Sequence, residues 1–297
     1  MNKHRLTFGE RSFRIINITV MFLISLVILY PIYYMIIISL SDGAAVLTGQ
    51  VKLLPHGLTM RAYNAATRDA LFLNSYKNTA IITIVGTMIN LMMTILCAYP
   101  LSRKDFYGRK TIMALATFTM FFTGGMIPNY LLVTQLGLND SFWALILPGA
   151  ISIYNMIVMR TFFQGLPFEI TESAYIDGAN DFVILLRIIL PLSTPIVCTM
   201  ILFYAVGNWN GFYSALLYLS DKKLFPVQLF VRSVVLAGET LSMEMANNMS
   251  QESGGGLLAE QSTKYAIIIL SMLPILIIYP FVSRYFKSGV MVGSVKG

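Results

Sequence analysis

Long apolar runs separated by shorter polar stretches dominate this chain. The first run, residues 15–40, follows a basic leader, MNKHRLTFGERSFR. It is too long for a signal-peptide core and no small-residue cleavage site follows it, so it reads as a retained membrane span. Five more runs follow, at 78–101, 111–133, 142–159, 192–219 and 265–283. Most approach or exceed the ~20 residues that a helix needs to cross a bilayer. The pattern predicts an all-α, polytopic membrane protein of six transmembrane helices, with both ends on one side. A leader (1–14) and a tail (288–297) then flank a single membrane domain (15–287). No internal repeat is evident.

Composition agrees. Of 297 residues, 56% are hydrophobic and only 12% charged, with a mean hydropathy of +0.70; soluble domains carry about 25% charged residues. The length leaves little room for a soluble catalytic domain. The formal charge of +7 would suit nucleic acid, but its placement points to membrane topology. Lys3, Arg5, Arg11, Arg14, Arg103, Lys104, Arg109, Lys110, Arg160, Arg187, Arg284, Lys287 and Lys296 fall on one side of the six-span plan. Lys52, Arg61, Arg68, Lys77, Lys222, Lys223, Arg232 and Lys264 fall on the other, over longer loops. The positive-inside rule puts the leader, the 160–191 segment and the tail in the cytoplasm. Cys97 and Cys198 lie inside apolar runs, and His4 and His56 lie far apart in loops, so no metal site, disulfide framework or catalytic cluster is expected.

One polar stretch stands apart: residues 169–191, EITESAYIDGANDFVILLRIILP, between the fourth and fifth runs. Physically it reads as two short helices joined by a bend. Pro167 suits a first turn, and Glu169 and Glu172 lie near a positive helix start. Ala174 and Gly178, four apart, would form a small face that lets another backbone approach. Gly178 is a natural helix stop, and Asn180 or Asp181 can cap the next helix. On these grounds alone the stretch is an amphipathic helix pair at the membrane surface.

The spacing within it is more specific. Glu172-Ser173-Ala174-x3-Gly178-x9-Ile188-x-Leu190-Pro191 resembles the E-A-A-x3-G-x9-I-x-L-P motif of ABC importer permeases, with Ser173 replacing the middle alanine. The resemblance extends to the six-span plan, to a W-N-x-F element at Trp209–Phe212, and to the ending KSGVMVGSVKG. That ending looks like those of maltose-type second inner-membrane permeases, closest to the branch importing pectin- or alginate-type oligosaccharides. The resemblance implies a type I ABC importer permease fold in a bacterial cytoplasmic membrane, with 160–191 as a cytoplasmic coupling helix. It implies docking of Glu172, Ser173, Ala174, Tyr175, Ile176, Asp177, Gly178, Ile188, Leu190 and Pro191 against a dimeric cytoplasmic ATPase. A second homologous permease and an extracytoplasmic sugar-binding protein would complete the importer. ATP and Mg would be bound by the ATPase, and this chain would be a transport subunit, not an enzyme.

Two further patterns bear on energy and path. No Asp, Glu, Lys, Arg or His falls inside the six runs, whereas proton-coupled carriers usually hold an ionisable group in the membrane. The chain has no G-x4-G-K-[ST], so active transport would draw energy from a partner. The alternative is an ATP-independent secondary transporter or channel, which a sodium site of backbone carbonyls would allow. Polar breaks interrupt the third run at Thr123-Gly124-Gly125 and the fifth at Gly207-Asn208-Trp209-Asn210-Gly211. Irregular backbone at membrane depth is tolerated where it is buried in protein or lines a wet cavity. Thr123, Asn208, Trp209, Asn210, Phe212 and Tyr213 are therefore candidates for a sugar pathway. For Trp209, Tyr213 and Tyr218 an interfacial aromatic belt is the competing reading. The polar, triple-glycine stretch 243–263 reads as a flexible outer loop.

Overall fold

The computed structural model describes residues 8–247 and 262–280, with side chains described throughout except at 238–247. The main helices are α1 Phe8–Ser39, α2 Ala70–Ser102, α3 Arg109–Phe121, α4 Met126–Gln135, α5 Ile153–Gln164, α6 Phe168–Ile176, α7 Asp181–Leu192, α8 Thr194–Asn210, α9 Val227–Asn247 and α10 Ser262–Pro280. Among the described residues there is no strand. By length and apolarity α1, α2 and α10 can each cross a membrane, and the bent pairs α3–α4 and α7–α8 raise the number to five.

The helices depart from the apolar runs where glycine and proline intervene. The first helix begins inside the expected leader, at Phe8. The third run bends by 111° between α3 and α4, where Gly125 takes a φ of +86° that a side chain would resist. The fourth run, 142–159, is not one helix: a turn at Trp143–Ile146 stops at Pro148-Gly149, and α5 starts only at Ile153. Pro148 removes an amide donor and Gly149 weakens the helix further. The fifth run ends at Asn210, with a short helix Tyr213–Tyr218 beyond it. α9 occupies what the hydropathy pattern leaves as loop, and most of the 243–263 stretch and the whole tail lie outside the described residues.

The chain forms two compact units, one from the described residues up to Asp69 with those of 233–270, the other from Ala70 to Arg232 with those from Ser271 onward. In the first, none of the most apolar stretch of α1 is buried, a surface that suits lipid or another protein but not water. Only its end is buried: Ile37 and Ile38 pack with Ala45 and Val51. There Ser39 Oγ meets Tyr63 Oη at 2.8 Å, and Ser262 Oγ donates to the Ser41 carbonyl at 3.2 Å.

The second unit is built on α2. Ser75, Thr79, Ile82, Gly86, Asn90, Thr94 and Ala98 recur every three or four residues and are buried, which makes one narrow stripe of small and polar groups. Small stripes let membrane helices approach closely, and polar groups on them hydrogen-bond across the contact. α8 and α5 lie against this stripe. Thr94 Oγ1 and Tyr204 Oη are 2.6 Å apart, and Asn208 Nδ2 donates to Thr87 Oγ1 at 3.3 Å and Asn90 Oδ1 at 3.1 Å. Asn90 Nδ2 in turn donates to the Gly149 carbonyl at 2.8 Å, satisfying the broken fourth run. Gly86 leaves room at this crossing: a Cβ there would sit 2.9 Å from Asn208 Nδ2, so the Asn208 amide would have to shift.

Candidate functional site

The charged insert folds as α6 and α7 around a glycine stop. α6 ends in a Schellman turn: the Gly178 amide donates to the Tyr175 carbonyl at 3.0 Å and the Ala179 amide to the Ala174 carbonyl at 2.9 Å. Gly178 takes φ +78°, the left-handed conformation this motif requires. Asn180 then caps α7, its side chain accepting from the Val183 amide at 3.0 Å. Within α7 the helix widens into a π-turn over Leu185–Ile189, just ahead of Pro191, which lacks an amide and crowds the carbonyl four residues back.

This geometry sorts the motif residues into two sets. Glu172, Ser173, Asp177 and Gly178 are exposed, and Ile176 is 83% exposed despite being apolar. Ala174 is buried against the chain's own core, with Ile184, Leu185 and Ile189. Ile188 and Leu190 are half-buried against the same core, while Pro191 is exposed. The expected small face shared by Ala174 and Gly178 does not form: α6 ends at Ile176, so Gly178 lies past the helix, in the left-handed turn that closes it. Among the described residues, a Cβ at Gly178 would meet nothing within 4 Å beyond its chain neighbours.

Tyr175 is the half-buried remainder, and it belongs to a network centred on Arg103, just beyond α2. The Arg103 guanidinium donates to Asp105 Oδ1 at 3.0 Å and Oδ2 at 2.6 Å, and to Asp181 Oδ1 at 2.5 Å. It also donates to the Tyr175 hydroxyl, which donates to Asp181, and it lies 5.1 Å from the Tyr175 ring centre. Around it, Arg109 Nη1 donates to the Arg103 carbonyl at 3.0 Å and Arg160 Nε to the Leu101 carbonyl at 2.8 Å, filling acceptors left over at the end of α2. The hydrogen bonds from Arg103 hold the Asp105 carboxyl below its ordinary value of 3.8. That pair therefore stabilises fully above the ordinary value and loses its contribution as pH falls through the lowered one. A cleft of about 860 Å³ opens beside the network, lined among others by Ser102, Arg103, Lys104, Gln164 and Thr171. The sequence alone counts Arg103 only toward topology.

The candidate pathway residues also divide. Thr123, Asn210, Phe212 and Tyr213 are exposed. Tyr213 Oη lies 2.8 Å from Met126 Sδ, which brings the break before α4 against the break after α8. Gln228 Nε2 donates weakly to Asn210 Oδ1 at 3.4 Å. Asn208 instead spends its amide on Thr87 and Asn90. Trp209 is only 7% exposed; its indole N–H donates to the Ser271 carbonyl at 3.0 Å and its ring meets Tyr76 edge-on at 5.4 Å. Trp209 is thus a packing residue of this chain, neither a belt residue nor a wall open to a cavity. Tyr218 is likewise buried, stacked on Tyr130 at 6.0 Å. Cys97 and Cys198 are free and half-buried.

Known proteins share this architecture. The model of the family described as "Binding-protein-dependent transport system inner membrane component" matches residues 91–292. The polygalacturonan/rhamnogalacturonan transport system permease protein YtcP of Bacillus subtilis (strain 168) is 38% identical over 288 residues, covering 97% of this chain and 99% of the relative. Protein LplC of the same organism is 39% identical over 291 residues, covering 98% and 97%. Among solved structures, a chain of a bacterial ABC transporter involved in the import of the acidic polysaccharide alginate superposes with a TM-score of 0.85 at 33% identity, covering 95% of this chain and 99% of that one. The chain belongs to the family of binding-protein-dependent transport system inner membrane components, and it is a multi-pass permease subunit of an ABC importer, not an enzyme.

Proposed function

We propose that this permease carries oligosaccharide fragments of complex acidic polysaccharides, of the pectin or alginate kind, across a bacterial cytoplasmic membrane. The observation that carries the substrate class is the near full-length likeness to YtcP together with the 0.85 superposition on the alginate importer chain. A second homologous permease would complete the pathway, and an extracytoplasmic binding protein would deliver the sugar. A solved alginate importer in complex with an alginate pentasaccharide-bound periplasmic protein, 15% identical in sequence, superposes with a TM-score of 0.58 and shares the fold.

ATP and Mg belong on a paired cytoplasmic ATPase, and the insert α6–α7 is its docking element. The exposed set Glu172, Ser173, Ile176, Asp177 and Gly178 faces that partner; Ala174, Ile188 and Leu190 root the insert in the permease. An 83% exposed isoleucine beside exposed acidic groups is the composition of a contact surface. The insert and both termini lie in the cytoplasm, in line with the distribution of Lys and Arg. Six crossings are retained, the broken fourth run and α5 supplying the one that length alone does not count. Thr123, Asn210, Phe212 and Tyr213 line the sugar path where the two breaks meet, and Asn208 and Trp209 hold the break in shape from behind.

Uptake by a deletion strain tests this reading. Loss of the gene should abolish binding-protein-dependent uptake of labelled polygalacturonan or alginate oligosaccharides and leave neutral maltooligosaccharide uptake unchanged. Restoration by the wild-type chain completes the test. Unchanged uptake of both acidic sugars would overturn the substrate class.

A further inference from the structure

We propose that Arg103 is the positioning residue that converts movement of the docked insert into movement of the membrane helices. The inference rests on the reading of α6–α7 as the ATPase-docking element and goes beyond it, since Arg103 lies outside the insert and outside its motif.

The geometry is that of a clamp. Tyr175 sits on the first arm of the insert and Asp181 opens the second arm, across the Gly178 bend. One guanidinium holds both, donating to Asp181 at 2.5 Å and to the Tyr175 hydroxyl. Two more of its donors are held by Asp105 at 3.0 and 2.6 Å, so the planar group is held in one orientation. With its side chain only 23% exposed, it is shielded more than either carboxylate, which favours charge-assisted bonds over bonds to water. Lysine could not reproduce this fork.

From Arg103 the connection into the bundle is continuous. The residue follows directly on α2, and α2 is joined to α8 by the Thr94–Tyr204 contact at 2.6 Å and the Asn90–Asn208 bond at 3.1 Å. Asn208 belongs to the break that ends α8. Tyr204 Oη also accepts from the Ser152 amide at 3.3 Å, so α5 is drawn into the same joint. A displacement of α6–α7 that keeps the clamp closed must move the end of α2, and α2 carries the groups that set the position of Asn208. Without the clamp, the insert still has its apolar root through Ala174, Ile184 and Leu185, so it stays folded and available to the ATPase. The clamp therefore transmits, and the root attaches.

The test uses the complete importer, purified with its ATPase and supplied with loaded binding protein in proteoliposomes. Arg103→Gln and Asp181→Asn should each leave ATPase co-purification and ATP hydrolysis within about twofold of wild type. Sugar imported per ATP should fall roughly tenfold, within the span measured for residues on coupling networks. The double variant should be no worse than either single one, because both open the same link, and Arg103→Lys should recover part of the ratio. An unchanged ratio, or additive losses in the double variant, would overturn the clamp. Loss of ATPase association in Arg103→Gln would also overturn it, assigning Arg103 to attachment. Glu172→Ala in the same preparation separates the two readings: if it neither weakens ATPase association nor slows hydrolysis, the docking assignment itself fails.

Discussion

Replacing Gly178 by valine is expected to stop transport while leaving the permease in the membrane. Gly178 holds φ +78°, and the left-handed region costs an L-residue roughly 1–2 kcal/mol, more when it is β-branched. Among the described residues, nothing beyond its chain neighbours lies within 4 Å of a Cβ there, so the variant meets no clash among them and the core under α6 is untouched. What suffers is the turn between the arms and the space beyond it, which the ATPase is proposed to fill. Gly178→Asn separates these causes, since asparagine tolerates the left-handed turn. If the partner surface is the issue, asparagine too should depress substrate-stimulated ATP hydrolysis and uptake together. Glu172→Ala should act in the same direction. The Glu172 side chain makes no hydrogen bond or ion pair within the described residues, so its loss costs the isolated chain little, whereas truncating one member of a buried interfacial pair costs about 2–5 kcal/mol. Near-normal transport and ATPase association in both Gly178→Val and Glu172→Ala would leave α6–α7 a passive surface element.

Trp209→Ala is expected to have the second large effect, and of a different kind. The indole is buried, with its N–H given to Ser271 and its ring against Tyr76. Truncating a buried tryptophan costs about 3–5 kcal/mol, and here it also leaves the Ser271 carbonyl without that donor. The variant should accumulate poorly in the membrane and lose thermal stability in detergent, with uptake falling in proportion to the protein present. Asn210→Ala and Phe212→Ala, at exposed positions just beyond Trp209, should accumulate normally and alter uptake per molecule. Normal accumulation of Trp209→Ala with a selective loss of transport would restore Trp209 to the pathway wall.

The contrast between these sites shows what a linear sequence discloses. The insert is legible because its determinants are local: a glycine at the helix stop, an asparagine at the next cap and a fixed spacing to Pro191 all lie close together along the chain. Membrane character is legible because it is additive along the chain. Straightness is legible only in part: the polar break at Thr123-Gly124-Gly125 marks where the third run bends, but hydropathy scores Pro148-Gly149 among apolar neighbours and is blind to its backbone effect. Trp209 is misplaced by its sequence because its partners, Ser271 and Tyr76, come from distant helices. The same holds for Arg103, whose contacts to Tyr175 and Asp181 span 72 and 78 residues. Before folding, Arg103 is one more basic residue after a span; only the meeting of α2 with both arms of the insert makes it a clamp.

That energy enters through the outer face of α6 is tested most directly by a cross-link from position 173. Ser173 is exposed and, among the described residues, its hydroxyl bonds only to the Ile170 carbonyl, at 3.2 Å, so Ser173→Cys perturbs little; Cys97 and Cys198 are replaced by alanine to leave one thiol. In membranes containing the assembled importer, a short bifunctional reagent at the introduced thiol should join this chain to the ATPase, and ATP should change the yield. The same thiol should stay silent to an impermeant reagent added outside intact cells. Labelling from outside, with no ATPase adduct from inside, would contradict both the orientation and the coupling role.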